Sequence, residues 1–193
     1  MYIERTAGQT GATLVELIMF IMIIGIALSG VLLVMDQVTG HSADTMARKQ
    51  ALAIAEALLE EVESMPYTYC DPDDANVTSA TSAVVGGAGC AATVEVLGPE
   101  AGETRYADPK FDNLNDYHNF SMNGANGGIR DISNNLISGL DGYAASVVVA
   151  EAGLGGIAAA SGVLQVTVTV AGPANTQIVL DGYRTRYAPN GTP

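Results

Sequence analysis

GATLVELIMFIMIIGIALSGVLLVM, residues 11–35, decides the fold of this chain. Glu16 is its only charged side chain, and the stretch from Leu17 to Met35 carries no charge. Such a stretch is long enough to cross a bilayer as a helix, which takes about 20 apolar residues. A carboxylate at its edge costs roughly 2.5–3.5 kcal/mol toward the membrane centre, so it calls for a partner and a use. Gly11 lies just before the run, and Glu16 is the fifth residue after that Gly. A cleaved secretory signal fits poorly, because its apolar core is shorter and ends in a small-residue cleavage site. An ordinary signal anchor has no need of Glu16.

Gly11, Thr13, Leu14 and Glu16, followed by the apolar run, resemble the prepilin signal of type IV pilins and type II secretion pseudopilins. The resemblance implies a leader, residues 1–11, that a membrane-embedded prepilin peptidase removes after Gly11. It implies that Ala12 becomes the new amino terminus and is N-methylated. The family's Thr-Leu-x-Glu step falls on Thr13, Leu14, Val15 and Glu16. In the family that Glu pairs with the amino terminus of a neighbouring subunit during assembly. The physics agrees, because neither charge is tolerable alone in apolar surroundings. Two departures stand out. The family usually has Phe or Met after the cut, where this chain has Ala12, and in the leader Arg5 is offset by Glu4.

Past the apolar run a helix is expected to continue. Residues 36–65 contain no Pro and a single Gly, Gly40. Ala47, Ala51, Ile54, Ala55, Leu58 and Val62 recur at three- and four-residue spacing and predict one buried face. Lys49, Glu56, Glu60 and Glu63 are expected on the opposite face. Pro66 predicts the stop, since the residue before a proline is pushed out of helical geometry. A helix from Thr13 to Ser64 would run ~78 Å at 1.5 Å per residue. Gly25, Ser29 and Gly30 permit close approach of neighbouring helices, or are merely the small residues common in membrane helices. No Pro lies between Gly11 and Pro66, so no proline kink is expected.

The remainder is a loop-rich region followed by strands. Val166, Val168 and Val170 alternate with Gln165, Thr167 and Thr169, the period of a half-buried strand. Residues 143–150, 163–171 and 176–187 are all rich in strand formers. Gly172, Pro173, Ala174 and Asn175 predict a hairpin loop between the last two. A three-stranded antiparallel meander packed on the helix stripe is the simplest result. The expected fold class is therefore α+β, with the long helix on a small antiparallel sheet, as in pilins. The expected parts are the leader 1–11, the helix 12–65 with 12–35 in the membrane or filament core, and the head 66–193.

Cys70 and Cys90 lie in the loop region, and only one pairing exists. In an exported, oxidising setting a disulfide follows; the alternative is two free thiols. The bridge would contribute ~3 kcal/mol by loop closure. Pilin disulfides are commonly nearer the C-terminus. Two acidic stretches share the region. One holds Asp71, Asp73 and Asp74; the other holds Asp112, Asn113, Asn115 and Asp116. Both have the oxygen-rich chemistry of Ca²⁺ ligands, and some pseudopilins bind that ion. Turn formation by Asp and Asn explains them without a metal.

The 193 residues carry 21 acids against 8 bases, a formal net charge of −13. That excludes a basic nucleic-acid-binding surface and docking on anionic lipid. Gly is abundant at 22 and Trp is absent, a mixture that suits an exported domain with long loops. No zinc spacing, GxSxG or phosphate-binding Gly loop is present, and His41 and His118 are the only histidines. No enzyme and no resident cofactor is expected. The sequons at Asn76, Asn119 and Asn190 read as chance.

Across nearly the whole chain the sequence also resembles the MshD minor pilins of mannose-sensitive haemagglutinin pili. HSAD (41–44), RKQALAIAEALLEEV (48–62), YCDPDDAN (69–76), FDNLNDYH (111–118) and DGYRTRYAPN (181–190) carry that likeness. It implies a minor pilin, a structural subunit whose partners are other pilins, the peptidase-methylase and an inner-membrane assembly platform. It implies a bacterial inner-membrane protein, single-pass with a periplasmic head, that later reaches the pilus and cell surface. The alternative is a pilus-tip adhesin or ligand-binding subunit on the same anchor.

Overall fold

The computed structural model describes residues 11–157, 162–186 and 190. Most of the expected leader, and the end of the last expected strand, lie outside these. The chain divides into two compact units, residues 1–43 and 44–193, and helix α1 (Leu14–Ser64) belongs to both.

In the first unit, Thr13 precedes α1 and caps it. The Leu17 N–H donates to the Thr13 carbonyl at 3.1 Å, and the Glu16 N–H donates to Thr13 Oγ1 at 3.3 Å. A side-chain oxygen that takes an otherwise orphaned N–H is what starts a helix. Every residue of the segment 11–39 is exposed, including Phe20, Ile26 and Leu33. By length and composition α1 is able to cross a membrane. A largely apolar surface of this length is stable where lipid or other apolar protein covers it.

The second unit is the head. It joins the last part of α1 to a four-stranded antiparallel sheet in the order β1-β2-β3-β4. The strands are β1 (Ser121–Met122), β2 (Ala144–Glu151), β3 (Val163–Gly172) and β4 (Thr176–Thr185). This α+β arrangement, a long N-terminal helix on a small antiparallel sheet, is that of the pilin fold. The register explains the core. Val147 lies opposite Val168, and Val149 opposite Val166. Val168 in turn lies opposite Leu180, and Val170 opposite Ile178. With a two-residue period these side chains share one face, and that face meets Ala51, Ala55, Leu58 and Val62 of α1. The central valines are fully buried, and Thr167 and Asp181 pair on the outer face at 2.6 Å.

Three details differ from the sequence reading. A fourth strand, β1, pairs Ser121 with Ser146 and Met122 with Ala145. Two residues are too few to show a period. Glu63 is half-buried rather than on the solvent face, because the last turn of α1 crosses β4 closely. The crossing is at Gly182, where a Cβ would run into the Glu63 carboxylate and Leu59. The hairpin turn is Pro173–Asn175, with Gly172 in the strand. Ala174 and Asn175 have φ of 54° and 56°, the left-handed pair of a tight hairpin.

Candidate functional site

Among the described residues the Glu16 carboxylate and an acidic pocket in the head are the places to consider. Gly11, Ala12 and Glu16 are all exposed at the start of α1. The Glu16 backbone N–H is the group that Thr13 Oγ1 caps, and the Glu16 carboxylate takes no part in that bond.

The acidic pocket is built around a disulfide. Cys70 and Cys90 are bonded, as expected from their single possible pairing. The ring between them packs Val77 and Ala80 against the bridge. Asn76 Nδ2 donates to the Gly89 carbonyl, and Asn190 Nδ2 to the carbonyls of Val77 and Ala80. Two of the three sequon amides therefore hold the loop together.

The expected calcium candidates separate into three groups. Asp74 is a structural hub. Its carboxylate accepts the N–H groups of Asn76, Ala91, Ala92 and Thr93 at 2.7–2.8 Å. The Thr93 N–H and its neighbours hold the Asp74 carboxyl well below the usual carboxylate range. Asp71, Asp73 and Asp112 each place one oxygen within 4.8 Å of the others. Asp73 is exposed, and Asp71 Oδ1 already accepts the Asp73 N–H.

Asp116 joins a third group with Glu95 and Glu100, again with one oxygen from each within 4.8 Å. Backbone bonds set this geometry. The Glu95 N–H donates to the Tyr69 carbonyl, and the Gly98 N–H to the Asn115 carbonyl. Those bonds fix the 95–100 loop against the 3-10 turn Leu114–Tyr117. Asp116 Oδ2 accepts the N–H groups of Asp112 and Asn113 at 2.9 and 2.8 Å. Asn113 Nδ2 donates to Thr68 Oγ1 at 2.6 Å.

Several oxygens here are left over. Both carboxylate oxygens of Glu95, Oε1 of Glu100, and Oδ1 of Asn113, Asn115 and Asp116 are buried without a hydrogen-bond partner. Glu95 is 6% exposed and Asp116 0%. Burial, and then the carboxylates of Asp116, Glu100, Asp71 and Asp112, push Glu95 up to about 10. Burial and Asp116 push Glu100 up as well. Burial and the nearby Glu103 and Asp116 raise Asp112 to about 7. Burial raises Asp116 to about 6 against the pull of its two backbone N–H groups. Sequence reasoning found Asp112 and Asp116 but missed Glu95 and Glu100. The one available signal was a lone acid inside the apolar run TVEVL, residues 93–97.

His118 has a structural role, since its Nδ1 accepts the Val149 N–H at 3.3 Å. An open groove of about 700 Å³ lies beside α1, lined by Ile54, Leu58, Met122, Ile129 and Ile137 and rimmed by Arg130. Compared with protein-family models, curated proteins and solved structures, the chain matches none. Pilin-like is accordingly a statement about the arrangement of helix and sheet.

Proposed function

We propose that this chain is a minor pilin or pseudopilin, a structural subunit rather than an enzyme. In this reading prepilin peptidase removes residues 1–11 and Ala12 is N-methylated. The subunit then enters a filament through α1, with Glu16 neutralising the amino terminus of a neighbour. One observation carries the reading: Glu16 is the sole charge at the start of a fully exposed apolar helix, and the same helix buries its later stripe under a sheet. An apolar surface of that size requires lipid before assembly and neighbouring helices after it. The assembly platform of the inner membrane is the partner that would exchange one for the other. Mass spectrometry of the mature chain tests the processing step. An N-methylated Ala12 terminus is the expected result, and an intact leader in assembled filaments contradicts it.

A second reading, a tip adhesin or ligand-binding subunit on the same anchor, is favoured by the groove beside α1. Labelling the subunit on purified filaments separates the two: tip-only labelling supports the second, and labelling along the shaft supports the first.

A further inference from the structure

We propose that Glu95, Glu100 and Asp116 bind a hard divalent cation of calcium size. Asn113 and Asn115 supply unused neutral oxygens on the same turn. The proposal rests on what is left unsatisfied. Buried polar groups in folded proteins are almost always hydrogen-bonded, so each exception asks for an explanation. Among residues 95–116 six buried oxygens lack a partner, and the three acids among them converge in space; outside that stretch the Arg186 Nε, over the Tyr67 and Tyr69 rings, is a buried donor that also lacks one. A missing donor side chain would leave one or two such oxygens. Three acids converging within 4.8 Å, one of them with both oxygens unpaired, instead match the inner surface of a cation shell.

The distances suit calcium. Oxygens at about 2.3–2.6 Å from a Ca²⁺ ion lie at most about 5 Å apart across it. The donor set is oxygen only, which excludes the softer metals that want His or Cys. Mg²⁺ demands a tighter octahedron at about 2.0–2.1 Å and retains several waters. Three carboxylates in one shell suit Ca²⁺ better than Mg²⁺, which is usually held by one or two. The ion would link the 95–100 loop to the 3-10 turn at Leu114–Tyr117, next to the Cys70–Cys90 ring. It would replace a knot of like charges by a cross-link. The neighbouring Asp71, Asp73 and Asp112 group is more exposed and has one oxygen engaged by backbone, so it is not the site proposed.

The test uses the full chain in detergent micelles, stripped with a chelator and titrated calorimetrically with CaCl₂ and with MgCl₂. Saturable Ca²⁺ binding tighter than Mg²⁺ binding is expected. At a 100-fold excess over Kd, Ca²⁺ should raise the Tm of the head by about 5–10 °C. Glu95→Gln and Glu100→Gln should each weaken binding at least roughly tenfold, the lower end of what losing even an outer partner costs. Asp73→Asn should leave it unchanged. Glu100 is only half-buried, so Glu100→Gln keeps the test open should Glu95→Gln unfold. No saturable binding up to about 10 mM Ca²⁺, beyond the weak end of natural sites, overturns the proposal. So does binding that is lost in Asp73→Asn but retained in Glu100→Gln. Both results are independent of whether the chain enters a filament.

Discussion

Arg105 and Glu61 form a two-point ion pair between the head loops and the last turns of α1. Arg105 Nε meets Glu61 Oε1 and its terminal nitrogen meets Glu61 Oε2, both at 2.6 Å. The two side chains are 5% and 16% exposed. Tyr117 donates its hydroxyl to Glu61 at 2.8 Å, and Arg105 also donates to the carbonyls of Arg130 and Asp131. Burial works against the Arg105 charge, yet Glu61 more than offsets it and holds the guanidinium above its ordinary value. The pair therefore fixes the 105–131 segment on the helix.

Arg105→Met should destabilise the head by about 3 kcal/mol, because it leaves the Glu61 carboxylate buried and unpaired. That is the low end of the usual range, since Glu61 retains some solvent. Adding Glu61→Gln should recover part of the loss, because the stranded charge is removed. Urea unfolding of both variants measures it. A cost below about 1 kcal/mol for Arg105→Met would place the pair among weak surface bridges.

Much of this head was legible in the sequence because its core is periodic. Ala47, Ala51, Ile54, Ala55, Leu58 and Val62 announce their face at helical spacing; Ile54 is half-buried against the core and the other five are buried. Val166, Val168 and Val170 do the same at strand spacing. The Arg105–Glu61 pair was not legible. Its partners are 44 residues apart, and nothing local distinguishes Glu61 from the exposed Glu60 beside it. Glu95 and Glu100 were hidden for the same reason, since an acid's burial depends on which loop folds over it. Asp74 shows the converse: its acidic neighbourhood suggested an ion, while four backbone N–H groups already occupy it.

Asp74 makes the head acid-sensitive. Its folded-state value lies below the ordinary carboxylate value, so its contribution is present above that ordinary value, about 3.9, and is lost as pH falls below it. Asp74→Asn should remove this sensitivity and lower the hydrogen-exchange protection of Ala91, Ala92 and Thr93. Unchanged protection there would contradict the role given to Asp74.

The acidic pocket acts with the opposite sign. Glu95, Asp112 and Asp116 are raised, so in chelator the folded chain favours their protonated forms. Metal-free stability should be highest near about pH 4 and should fall as pH rises past about 6 and 7 toward 10. Asp71, Asp73 and Glu103 face the same group of acids. Calcium should flatten this decline, because metal ligands must be deprotonated. Thermal unfolding against pH, with and without Ca²⁺, reads both curves. A metal-free head that gains stability between about pH 6 and 8 would contradict the electrostatics.

Replacing both Cys70 and Cys90 by Ser should cost about 3 kcal/mol through the freedom returned to the unfolded loop. Denaturant unfolding with and without reductant should give matching losses in the native chain. A loss confined to the variant would mean that packing against Val77 and Ala80, rather than loop closure, is what the bridge provides.

The central claim is that Glu16 serves assembly, and it is tested most directly by Glu16→Gln. Gln keeps the side-chain length and the Glu16 backbone bond to Thr13 and removes only the charge. The measurement is the subunit level in membranes against the level in sheared filaments. The account predicts membrane levels equal to or above those of the native chain, because an expensive carboxylate is gone. It predicts a sharp fall in filaments, because the neighbour's amino terminus is then buried unpaired. Glu16→Asp should fall between the two. Glu16→Gln entering filaments as efficiently as the native chain would contradict the account and leave Glu16 as a tolerated residue at the membrane edge.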